Sequence, residues 1–167
     1  MKIPVFVSCP TTMTADQEAF RAVLLEEFDR FDLEERRVGA SDYPTELSLR
    51  EVLVLARHCA GAVVLGFEQV YVEQGIVKRG TGRERRIDKP LALPTPWNHL
   101  EAGVLFSLDL PLLVFKEEGI EGGIFDGGVT EAFIHTLPSS DKLASQRKGL
   151  SKVFMKWQAK VRDRYYS

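Results

Sequence analysis

The residues best suited by type and spacing to do chemistry lie in the run Trp97-Asn98-His99-Leu100-Glu101. Thr95 and Pro96 just ahead supply a capping hydroxyl and a proline fit for the first helical position, which predicts a helix through Leu108. At about 3.6 residues per turn, the indole of Trp97 and the carboxylate of Glu101 project from one face, one above the other, and Asn98 points to the side. An aromatic wall then stands beside an acid. Ala102, Gly103, Val104, Leu105 and Phe106 follow, so the carboxylate enters apolar surroundings. Burial raises the pKa of such a group and the positive end of the helix lowers it, and the sequence leaves that balance open. Two structural readings stand beside the chemical one: Glu101 paired with an arginine of the long 67–94 connection, and Trp97 as a core residue.

The elements that must position this run can be read from periodicity. Ile3 to Val7 is a short β-branched and aromatic run closed by Ser8-Cys9-Pro10, a buried strand entering a turn. Thr14 with Gln17 forms a capping box, and Phe20, Val23, Leu24, Phe28 and Phe31 give the next helix one apolar face. Glu34 to Val38 predicts a polar edge strand, and Ser48 with Glu51 a second capping box ahead of Val52, Leu55, Ala56 and Cys59. Gly61-Ala-Val-Val-Leu-Gly66 lacks alternation, as a central parallel strand covered on both faces should. Pro111 to Phe115 is another buried strand and Val129 to Leu137 a last, edge-like one. Strands alternating with helices predict an α/β, flavodoxin-like three-layer fold with a five-stranded, mainly parallel sheet in the order 2-1-3-4-5.

A sheet of this kind binds ligands outside the carboxyl ends of its strands. That rule nominates Ser8, Thr11, Asp42, Tyr43, Phe67, Trp97 and Asn98 as substrate-binding residues around Glu101. Ser8, Thr11 and Thr12 offer hydroxyls near a helix N-terminus, where phosphate binding and plain capping are equally good readings. Neither GxGxxG nor GxxxxGK[ST] occurs. Two connections exceed simple links: 67–94, rich in Lys and Arg, and 117–128, with five glycines; either would serve as a lid.

With 167 residues, 44% apolar and 28% charged, the chain reads as one domain over 1–167. A net charge of −2 gives no field to draw in nucleic acid. Lys2 leads directly into a strand and no apolar stretch is long enough to span a bilayer, so neither secretion nor a membrane partner is expected. Cys9 and Cys59 lack ligand spacing, and His58, His99 and His135 are scattered, which argues against disulfides and metal and for a reducing cytoplasm. From Asp141 onward eight basic residues meet two acidic ones. Leu143, Leu150, Phe154, Trp157, Val161 and Tyr165 mark that segment as a covering helix, with docking of an acidic partner as the alternative.

Val5-Phe6-Val7-Ser8, the buried third strand, Trp97-x-x-x-Glu101 opening a helix, and Leu110-Pro111-Leu112-Leu113-Val114-Phe115 directly after it resemble the enzymatic branch of the TIR domains. The same features are similar to the related nucleoside 2-deoxyribosyltransferases, and Ser8-Cys9-Pro10 looks closer to their first loop. The Arg-Asp and Pro-Gly signatures usual in TIR domains are missing from Gly39 to Pro44, and the deoxyribosyltransferase Asp-x-Gly-Thr element is missing ahead of Glu101. The resemblance implies a single catalytic glutamate, Glu101, acting as an NAD nucleosidase on the nicotinamide–ribose bond, with NAD as substrate and no separate cofactor. It leaves open deoxyribosyl transfer or nucleotide N-glycosidase chemistry, a non-catalytic nucleotide-signal-binding module, and assembly into a homo-oligomer. Expelling neutral pyridine from a cation needs little protonation, so one carboxylate suffices; a neutral base wants a second acid, for which Asp42, Glu68 and His99 are the candidates. Ser8 with Thr11, and Arg83 or Arg85, would hold phosphates.

Overall fold

Strand β1 (Ile3–Ser8) is the axis of the molecule, with five of its six residues buried. In the computed structural model, which describes residues 1–39 and 48–167, β1 pairs in parallel with β2 (Leu33–Arg36) on one side and β3 (Gly61–Gly66) on the other. The extension cannot be lost to solvent, because all six residues of β3 are buried. Among the nine strands numbered in chain order, β8 (Leu112–Lys116) follows β3, and β9 (Ile134–Thr136) forms the far edge. The sheet order is β2-β1-β3-β8-β9, all parallel, which is the predicted flavodoxin-like order of its five strands.

Alternation along β1 sorts side chains between two cores. Val5 and Val7 meet Phe20, Leu24 and Phe28 of α1 (Ala15–Arg30), together with Phe154, Trp157 and Val161 of α4 (Ser140–Tyr166). Phe6 meets Val52 and Ala56 of α2 (Ser48–Arg57) and Ala102 and Leu105 of α3 (Pro96–Ser107). Helices therefore cover both faces. The predicted stripe of α4 is the one that is buried: Leu150, Phe154, Trp157 and Val161 point inward, with Leu143 and Tyr165 packed at its ends. A side chain at Gly61 would place its Cβ 2.5 Å from Val161, so α4 lies on β3 closely enough to demand glycine.

Several sequence expectations change. The edge strands are shorter than predicted, with β2 at Leu33–Arg36 and β9 at Ile134–Thr136. Helix α2 is described from Ser48 onward, so the capping expectation at its start lies at the edge of the described residues. The 67–94 connection is a nested antiparallel ribbon: β4 (Val70–Val72) pairs with β7 (Leu91–Leu93), and β5 (Ile76–Val77) with β6 (Arg85–Arg86). Its length is that of two strand pairs folded back on themselves. Nor is 117–128 an open lid. Ile120, Ile124 and Phe125 are buried, a 3₁₀ turn spans Gly123–Phe125, and Ile120 bridges to Ala92 of the ribbon. Among the described residues no helix is long and apolar enough to cross a membrane, and Cys9 and Cys59 are free thiols. Burial pushes the Cys59 thiol up to about 12.

Candidate functional site

The sheet reverses its winding between β1 and β3, since the chain passes from β1 outward to β2 and then back across to β3. Crevices form at the carboxyl ends of strands at such a point. Ser8, the last residue of β1, stands there, and the first turns of α3 lie against it. Thr95 caps α3 by accepting a hydrogen bond from the Trp97 amide at 3.3 Å, and Pro96 occupies the first turn as the sequence predicts.

Asn98, Glu101, Ala102 and Leu105 form the buried stripe of α3. Asn98 is wholly buried, and its amide nitrogen donates to the Ser8 hydroxyl at 2.9 Å and to the Ser8 carbonyl at 3.4 Å. The Ser8 hydroxyl, held in this way by Asn98, lies close enough to the Glu101 carboxyl to favour its charged form. Glu101 is 9% exposed, and among the described residues no ion pair includes it. Burial raises its pKa above the ordinary glutamate value, and the Ser8 hydrogen bond opposes the rise. The alternative reading of an arginine partner is thus not met among the described residues, and the side chain that favours the charged form is Ser8, whose hydroxyl Asn98 holds.

Two of the predicted positions trade places. Asn98 was expected to point aside and Trp97 to share the face of Glu101; instead Asn98 is buried and Trp97 is 42% exposed. Residues three and four before Glu101 are both its neighbours on a helix, and the polar hydroxyl of Ser8 selects the one that can hydrogen-bond. Trp97 therefore flanks the acid as a half-open aromatic surface rather than lying in the core.

Ser8 is fully buried, so it orients the glutamate and is not free to hold a phosphate. Thr11 is exposed on the β1–α1 loop. Phe67 has no exposed surface, belongs to the core beneath α1 and α4, and lines a rim cleft beside Gln17 and Glu117 rather than the surroundings of Glu101. Asp42 and Tyr43 lie outside the described residues. Arg85 sits on β6, and Arg83 in the turn before it, on the outer part of the ribbon. Of the candidate second acids, His99 packs edge-on against Phe125 with centroids 5.4 Å apart, over Gly123 at φ 56°. Its ring clamps the glycine-rich segment to α3.

That rim cleft, of about 570 Å³, lies elsewhere along the carboxyl ends of the strands. It lies on the α1 and α4 side, where Gln17 donates to both carboxylate oxygens of Glu117 at 3.1 and 3.0 Å and Glu117 accepts from the Glu68 amide at 2.5 Å. Gln17 also closes the capping box of α1. That capping role is legible in sequence, but its partner lies a hundred residues away. Among the described residues no cluster of three or more His, Cys, Asp or Glu could hold a metal.

No protein-family model matches the chain, and no curated protein matches it significantly.

Proposed function

We propose that this chain cleaves the N-glycosidic bond of an NAD-like dinucleotide, with Glu101 as the catalytic residue facing the ribosyl carbon. The observation that carries the reading is the Glu101 carboxyl group itself, buried at the switch point of the sheet beside the Ser8 hydroxyl, with no ion-pair partner among the described residues. A carboxylate in that setting is costly to the fold, and its field acts strongly on positive charge that develops nearby. In the reaction the C1′–N bond breaks, its electron pair leaves on neutral nicotinamide, and the ribosyl carbon gains oxocarbenium character. Glu101 stabilises that centre while water adds to C1′ and releases a proton. Trp97, half open beside it, offers a flat surface for the base.

The single buried carboxyl group at this position suits a leaving group that needs no protonation, as nicotinamide does. The Trp97/Glu101 resemblance to TIR-type NAD hydrolases supports the same choice. The experiment is a panel of NAD, nucleosides and deoxynucleosides with free bases, followed by chromatography of products and by thermal shift. Nicotinamide release from NAD supports the proposal. Base exchange among deoxynucleosides would move the assignment to deoxyribosyl transfer, and stabilisation by NAD without turnover would make the chain a nucleotide-binding module.

A further inference from the structure

At the opposite end of the sheet from Glu101, a cleft of about 680 Å³ opens between the C-terminal end of α3, the start of β8 and the middle of α4. Its floor is apolar, formed by Leu110, Leu112, Leu113 and Trp157, and two large aromatic side chains stand at its walls with much of their surface in water: Phe106 at 53% and Phe133 at 80%. The cleft exists because the sheet is incomplete there. Strand β9 pairs only with Val114, Phe115 and Lys116, so Leu112 and Leu113, which pair with β3 on one side, run on past β9 with no strand on the other. An unpaired strand edge in an apolar setting is a template for another extended chain.

Charge says what kind of chain. Lys156, Lys160 and Arg164 line the cleft on the α4 side and Asp109 and Glu131 its opposite side, and Lys148 and Lys152 continue the four-residue spacing of the lysines along α4. All four lysines are exposed, and among the described residues none of them is in an ion pair. Their neighbours differ: Arg147 pairs with Glu26, and Arg164 caps the carbonyls of Leu108 and Asp109. At about 1.5 Å per residue the four lysines cover roughly 18 Å of helix, the reach of about five or six residues of extended peptide. A small anion would need one of them; a row suits a polymer.

We infer that this cleft is a docking site for an extended acidic segment of a partner protein, which seats an apolar side chain between Phe106 and Phe133, runs along the free edge of β8 and sets its carboxylates against the lysines of α4. The site is separate from Glu101 and does not depend on the proposed reaction.

The test is fluorescence anisotropy with a labelled peptide in which glutamates flank a central leucine and phenylalanine. Its comparators are the same peptide with lysine for glutamate and vesicles containing phosphatidylserine. Saturable binding of the acidic peptide, weakened by salt and reduced on the order of tenfold or more by Lys156→Glu with Lys160→Glu, and separately by Phe133→Asp, is expected. All three substitutions are at exposed positions, and unchanged circular dichroism verifies that the variants fold. No saturable binding, equal binding to the variants, or a preference for the lysine peptide or the vesicles would overturn the inference.

Discussion

A carboxyl group with 9% of its surface in water must find a cation, a proton or a reacting partner, and among the described residues Glu101 has no ion pair and only the nearby hydroxyl of Ser8 to favour its charge. The Ser8 bond favours the charged form, so its removal raises the pKa of Glu101 further. The acid limb of kcat/KM should accordingly lie above the ordinary glutamate range, and Ser8→Ala should move it to higher pH while sparing the rate at the alkaline end. An unmoved limb in Ser8→Ala would deny the hydroxyl this role. Stability responds in the opposite sense to activity. Because the folded-state pKa is raised, the contribution of Glu101 to stability is fully present below its unfolded pKa and is lost as pH rises through the folded value. Glu101→Gln, which mimics the protonated acid, should match the parent in acid and exceed it increasingly toward neutral pH in urea denaturation. A glutamate held for structure alone would show the reverse. The acid and its helix were legible from Trp97 and Glu101, whereas the buried role of Asn98 was not, since helical spacing allows either neighbour and only Ser8, ninety residues earlier, decides between them.

Helix α3 starts at Thr95 because the threonine hydroxyl satisfies the Trp97 amide and Pro96 has no amide to satisfy. Loss of this cap by Thr95→Ala should cost about 1 kcal/mol and fray the turn that carries Trp97 and Asn98, so activity should fall by more than global stability implies. Thermal unfolding compared with turnover checks this. Gly66, at the end of β3, lies under the ring of Phe125, where an added Cβ would meet Cε1 at 2.5 Å. Gly66→Ala should therefore lose about 1–3 kcal/mol, measurable as a lower denaturation midpoint with unchanged slope. The capping box of α1, the buried strands and the stripe of α4 were readable because each is a local pattern. The ribbon and the closed glycine-rich segment were not, because what fixes them is the Ala92–Ile120 bridge and the contact of Phe125 with Gly66 and His99, all between segments far apart in sequence.

For the whole molecule, one sheet is shared by two cores, with Val5 and Val7 in one and Phe6 in the other, so neither core can open without exposing β1. Far-UV circular dichroism and the emission of buried Trp157 should report a single, coincident unfolding transition; separated midpoints would show that the two faces fold apart. The strand order followed from alternation together with right-handed crossovers, and the proposed function rests on the one place where that order reverses and on the acid put there. The most direct measurement is release of nicotinamide from NAD by purified protein, set against Glu101→Gln verified as folded. A loss of roughly a hundredfold or more in the variant is the expected result, and equal release by both proteins would contradict the account.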